Sequence, residues 1–127
     1  MKWRPDVADL RAAGNTPEIT ANSAVMEMAR LSRQLDELGY RLKAAEREAV
    51  KTEHTYRVEK AKALLQVDEG TVPEREAKSL LMVADQRLAA KLAAAELSIL
   101  RKETFICETR IQVGRSVVAI LRTEAQL

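Results

Sequence analysis

Apolar side chains recur every seven residues along most of this chain, and that repeat constrains the fold more than any other feature. In the first half the repeat has two rows: Met28, Leu35, Leu42, Ala49, Tyr56 and Ala63 in one, and Ala24, Leu31, Leu38 and Ala45 in the other. Such rows are typical of a helix that packs lengthwise against another helix. Gly39 costs a helix ~1 kcal/mol relative to alanine. The repeat keeps its phase across Gly39, so we expect one continuous helix, straight or kinked there.

Local signals predict where this helix begins and ends. Thr16 is a candidate N-cap, with Pro17 at the first helical position. Residues 1–15 contain Pro5 and Gly14 and are predicted to be a flexible N-terminal segment. The chain is then expected to form a helical hairpin over 16–127 with its turn at 67–72. Gly70 supplies the helix stop, and the sequence from Thr71 to Glu74 matches a capping box for the second helix.

The second helix carries two apolar stripes rather than one. The first stripe contains Leu92, Ile99, Ile106, Val113 and Ile120, with Leu81, Leu88 and Ala95 close to it. The second contains Leu97, Leu100, Cys107, Ile111, Val118 and Leu121. One partner helix cannot cover both stripes, and a long exposed apolar strip is a liability. We therefore predict an all-α, coiled-coil-like antiparallel hairpin that assembles into a homo-oligomer, with the second stripe as the oligomer interface.

Composition narrows the function classes. The chain has 127 residues, a net charge of +2 and a single cysteine, so it forms no internal disulfide and fits a reducing compartment. No apolar run reaches transmembrane length, and the start of the chain lacks the apolar stretch of a signal peptide. We expect a cytoplasmic protein that does not enter a membrane.

Residues for catalysis or cofactor binding are sparse. His54 lies among charged residues, Cys107 lies in an apolar stripe, and the 53 positions between them match no metal-ligand spacing. No glycine-rich phosphate loop is present. We therefore predict no enzymatic activity, no metal, no cofactor and no small-molecule substrate.

Basic residues are concentrated in two stretches. Residues 41–62 contain seven Lys or Arg against four Glu, and residues 97–122 contain five against two, so each stretch is net +3. Such stretches attract a nucleic-acid backbone in an oligomer, although an ordinary solvated surface is an equally open interpretation.

One segment resembles a known family. The string from Glu59 to Leu65, the Gly-centred turn, the sequence EREAK at 74–78 and the Val83-Ala84-Asp85 step are similar to small tailed-phage proteins of the UvsY-like recombination-mediator type, over roughly residues 45–122. The resemblance implies a ring-shaped oligomer in the host cytoplasm that binds single-stranded DNA and helps to load a recombinase. It implies DNA contacts by Lys60 and Lys62.

The chain departs from the family pattern after this basic triplet. The family has aromatic residues there, whereas this chain has Leu64 and Leu65. Backbone charge contacts are therefore expected rather than base stacking. Arg57, Arg101 and Lys102 are the further candidate contacts. The alternative function is a structural or scaffold coiled coil that binds no nucleic acid.

Overall fold

The computed structural model describes residues 20–126 and contains three α-helices within that range. They are α1 (Ala21–Gln66), α2 (Val72–Met82) and α3 (Ala84–Ala125). Helix α1 has 46 residues and is therefore ~70 Å long at 1.5 Å per residue. The three helices form a hairpin in which α1 is one arm and α2 and α3 together are the other, as the seven-residue repeat predicted.

The arms run antiparallel along their length. Near the open end Gly114 lies beside Met28, and the Cys107 thiol donates a weak hydrogen bond to the Leu31 carbonyl at 3.4 Å. The later residue of α1 thus contacts the earlier residue of α3, as expected for antiparallel helices. Helix α2 packs against the part of α1 nearest the turn.

The start of α1 differs from the prediction. Thr20 is the N-cap, with an extended backbone, and its side chain accepts a hydrogen bond from the Ser23 N–H at 3.1 Å. Ser23 donates back to the Thr20 carbonyl, so these two residues make a cap of their own. Thr16, Pro17 and the predicted segment 1–15 lie outside the described residues. Within α1, Gly39 does not interrupt the helix, which confirms the prediction of one continuous helix.

The turn matches its sequence signals. Gly70 has φ +105°, a conformation that a residue without Cβ adopts readily. The Thr71 hydroxyl accepts from the Glu74 N–H, and the Glu74 carboxylate accepts from the Thr71 N–H at 3.3 Å. Both halves of the predicted capping box are thus present.

The second arm breaks at one residue that the sequence did not predict. Val83 has φ −112° and ψ 22° and separates α2 from α3, where neither proline nor glycine occurs. Its N–H still bonds the Ser79 carbonyl, and its carbonyl accepts from the Arg87 N–H. The seam continues through the break because Ser79, Val83 and Ala90 are all buried against α1.

The seam between the arms keeps a seven-residue repeat throughout. On the second arm its buried or half-buried positions are Ser79, Val83, Gln86, Ala90, Ala93, Leu97, Leu100, Thr104, Cys107, Ile111, Gly114, Val118 and Leu121. Alternating steps of three and four residues are the pattern of a left-handed coiled coil. The core cluster centres on Leu31, Leu38 and Leu100, in the half of the hairpin away from the turn.

Candidate interaction surfaces

The predicted oligomer interface lies inside the hairpin, so that prediction was wrong. Leu100 and Cys107 are 2% exposed, and both pack with Ile111 against Leu31 and Leu38 of α1. The remaining predicted positions are also covered: Val118 is buried, and Leu97 and Leu121 are half-buried. The first arm covers this stripe, and beside it Gly114 lies close to the Met28 side chain.

The other stripe of α3 is exposed. We call it the open stripe and define it as Leu88, Leu92, Ile99, Ile106, Val113 and Ile120. Each of these side chains is between 49% and 61% exposed. At ~100° per residue the stripe lies about a third of a turn around α3 from the seam. The two-stripe pattern therefore holds, but the stripe that lacks an intramolecular partner is the first one, and the predicted oligomer interface is the one that packs against α1.

The five predicted nucleic-acid contacts do not form one patch. Arg57 pairs with Glu53 at 3.0 Å and Lys62 with Glu59 at 3.4 Å, both along the outside of α1. Lys60 is half-buried nearby.

The other two candidates lie farther from the turn. Arg101 is 3.8 Å from Glu46, which is ~20 Å along α1 from Lys60 at 1.5 Å per residue. Lys102 is exposed on α3, at a position within the repeat of the open stripe. The structure thus divides the five candidates between the turn end and the middle of the hairpin.

A different basic row lies on the outer face of α1. Lys43, Arg47 and Lys51 follow one another at intervals of four residues, and all three are exposed. Arg47 lies two positions from both Ala45 and Ala49 of the seam, which is ~200° around the helix. Within residues 20–126, no carboxylate lies within 4.0 Å of these three cations. His54 and Arg57 extend the row toward the turn, and the four-residue spacing was the signal that could have identified it.

An exposed ion pair joins Arg30 and Glu27 near the start of α1. Arg30 donates from Nε to Glu27 at 2.9 Å. That hydrogen bond holds the pKa of Glu27 below its ordinary value and raises the pKa of Arg30, and the positive charge of Arg110 lowers the pKa of Glu27 further. Arg110 is exposed and lines the same groove as Glu27, on the flank of α3 between the seam and the open stripe.

A groove of about 450 Å³ separates α1 from α3 at the open end of the hairpin. Its walls are mainly apolar and include Met28, Leu31 and Val113, with Glu27 and Arg110 as the charged members. Its polar side chains form no cluster that suits a metal: in the part of the chain that the structure describes, no three His, Cys, Asp or Glu side chains come together as candidate ligands. Nor does any helix in the described range have the length and apolarity needed to cross a bilayer.

No family model, curated protein or solved structure matches this chain. The resemblance to phage recombination mediators therefore depends on the sequence patterns alone, and the role that it implies stays a prediction.

Proposed function

We propose that this protein is a coiled-coil assembly protein that associates with further copies of itself through the open stripe. The observation that carries this proposal is the exposure of six large aliphatic side chains on one face of α3, five of them at heptad spacing and Leu88 one turn before the first. The same spacing on the side of the helix that faces α1 forms the seam. A heptad stripe of apolar residues typically packs against another helix. Helix α1 already packs against the other stripe of α3, so it cannot cover this one.

The dimensions of the open stripe suit a stable interface. From Leu88 to Ile120 it extends ~50 Å at 1.5 Å per residue, and a helix is about 10 Å wide. The stripe alone therefore offers on the order of 500 Å² per copy, which is the size of the largest apolar patch on a typical monomer (about 300–600 Å²), a patch that is often functional. A standard interface buries about 800 Å² per partner, and the residues that flank the stripe supply the difference.

Sedimentation equilibrium tests this proposal. The wild type should form oligomers at micromolar concentration, and the double change Ile99→Glu, Ile106→Glu should convert it to a monomer that keeps its helical circular-dichroism signal. The matched control is Tyr40→Glu with Val50→Glu, which places the same charges on exposed apolar positions of α1 and should leave the oligomer intact. A wild type that remains monomeric at the highest concentrations would contradict self-association.

The basic row of α1 favours a second candidate function, the binding of single-stranded DNA. Three cations with no carboxylate within 4.0 Å among residues 20–126, spaced ~6 Å apart along one helix, suit successive phosphates of an extended backbone. Self-association through α3 leaves this face of α1 accessible and places several such rows on one assembly. In this candidate the protein acts as a recombination accessory that assists recombinase loading, as the sequence resemblance implies.

Salt-dependent binding of a labelled single-stranded oligonucleotide tests the second candidate. The logarithm of affinity should fall with the logarithm of salt concentration by roughly 0.7 per phosphate contact. Changing Lys43, Arg47 and Lys51 to Gln should therefore flatten the slope by about 2 and weaken binding to all sequences alike. The control is Arg87→Gln, Lys91→Gln and Arg115→Gln, which removes the same charge from the second arm. Equal losses in both variants would exclude the row as the binding site.

A further inference from the structure

Two rows of different character lie on the face of α3 that carries the open stripe. One row is large and aliphatic and contains Leu92, Ile99, Ile106, Val113 and Ile120; the other is smaller or more polar and contains Leu88, Ala95, Lys102, Thr109 and Ser116. All members of both rows are exposed. In a parallel pair of helices, each residue faces the same residue of the second copy, so Lys102 would face another lysine. In an antiparallel pair, large residues face small ones, and Lys102 extends its stem across an aliphatic neighbour.

Charges beside the stripe distinguish between the antiparallel registers. Glu96, Glu103 and Arg110 are exposed and follow one another at seven-residue intervals along the same flank. With the symmetry axis between positions 107 and 108, Glu103 of one copy lies beside Arg110 of the other, and this contact occurs twice. A shift by one heptad toward the N-terminus brings Glu103 beside Glu103, together with two Glu96–Arg110 contacts, and the same shift toward the C-terminus brings Arg110 beside Arg110. A shift by two heptads toward the N-terminus brings Glu96 beside Glu103. Each of these shifted registers places at least one pair of like charges together, which is unfavourable, whereas the register centred between positions 107 and 108 places no like charges together along this flank.

We propose that two copies pair antiparallel along the open stripe about a two-fold axis between Cys107 and Glu108, with Glu103 of each copy beside Arg110 of the other. This inference rests on the self-association proposed above and adds its orientation and register. In the resulting dimer Ile106 faces Thr109 of the second copy, and Ile120 faces Ala95. The two α3 helices form the centre of a four-helix assembly, and the two α1 helices lie outside with their basic rows exposed.

Cysteine cross-linking between differently tagged copies measures the register. Copies with Ile120→Cys are mixed with copies that carry Ala95→Cys, Leu88→Cys or Leu81→Cys and are then oxidised mildly. The Ala95→Cys mixture reports the proposed register, and the other two report registers shifted by one and two heptads. We expect several-fold more cross-linking with Ala95→Cys than with either alternative. The wild type serves as the blank because Cys107 is buried.

Further outcomes separate this inference from self-association itself. Ile120→Cys alone should not cross-link, because the two-fold axis holds its two copies ~38 Å apart. Efficient self-cross-linking at that position, or a preference for Leu88→Cys or Leu81→Cys, would overturn the proposed pairing while leaving self-association intact. A wild type that sediments as a monomer would overturn both. In addition, Glu103→Arg should weaken association at least several-fold, whereas Glu48→Arg on α1 should not change it.

Discussion

The two apolar stripes of α3 have the same spacing and opposite surroundings. Ile99 is 50% exposed and Leu100 2%; Ile106 is 49% exposed and Cys107 2%. Neighbouring residues of similar hydrophobicity therefore differ only in the side of the helix on which they lie. What covers a stripe is decided by the partner helix and not by the stripe itself. The comparison teaches that a heptad repeat predicts packing without identifying the packing partner.

The largest expected effect is a difference in the free energy of unfolding between alanine substitutions in the two stripes. Leu100→Ala should lower the free energy of unfolding by about 3 kcal/mol, because it leaves a cavity in the core. Ile99→Ala should change it by about 0.5 kcal/mol or less in protein dilute enough to be dissociated. Urea denaturation followed by circular dichroism measures both. Equal losses would mean that α3 is rotated differently against α1.

The turn holds the two arms side by side. Substitutions in it should have the next largest effect on the free energy of unfolding. A Cβ at Gly70 would lie 2.7 Å from the Glu74 carboxylate, in a backbone conformation that side chains disfavour. Gly70→Ala should therefore cost about 1–2 kcal/mol, and Thr71→Ala about 1 kcal/mol through loss of the cap. Thr71→Ser keeps the cap and is the control. If Gly70→Ala had no effect in the same denaturation experiment, the turn would not have the geometry described.

Two helical glycines make a finer test of the seam. A Cβ at Gly39 would meet nothing within 4 Å, so Gly39→Ala should raise stability by about 0.5–1 kcal/mol. A Cβ at Gly114 would lie 3.0 Å from Cγ of Met28, so Gly114→Ala should gain less because the seam must open slightly. Thermal melts of both variants measure the difference. A larger gain at Gly114 would contradict the close approach of the helices there.

The smallest effect should come from the exposed Glu27–Arg30 pair. Because the pKa of Glu27 is lowered in the folded protein, the pair stabilises the fold at neutral pH, and this contribution disappears as the pH falls below the ordinary value of 4.5. Melting temperatures of the wild type and Glu27→Gln should therefore differ slightly at pH 7 and converge in acid. A difference that grows on acidification would contradict the lowered pKa. Neither result would change which stripe of α3 is buried and which is exposed.

The sequence predicted most of the fold but not the orientation of the second arm. The repeat in α1, the Gly70 turn and the Thr71 cap are local signals, and the structure contains all three. The rotation of α3 was not predictable in the same way, because both stripes have heptad spacing and the spacing alone does not say which of them packs against α1. Local signals also failed at Val83 and Thr20. No proline or glycine marks the helix break at Val83, and the sequence offers both Thr16 and Thr20 as possible N-caps.

The candidate surfaces, too, were only partly predictable from the sequence. The sequence predicted that one stripe of α3 would lack an intramolecular partner, but it selected the wrong one. It also located net positive charge in residues 41–62 without identifying Lys43, Arg47 and Lys51 as a row on one face. Counting charges along a segment does not separate the two sides of a helix, whereas the position of the seam does.

Thiol reactivity at two adjacent positions tests the central claim most directly. Cys107 belongs to the seam, and Ile106→Cys places a second thiol on the open stripe. With a maleimide reagent, Cys107 should react slowly at every protein concentration because it is buried within its own chain. The Ile106→Cys thiol should react rapidly in dilute protein and become protected as concentration rises and copies associate. A thiol at position 106 that reacts equally fast at all concentrations would contradict the claim that a second copy covers the open stripe.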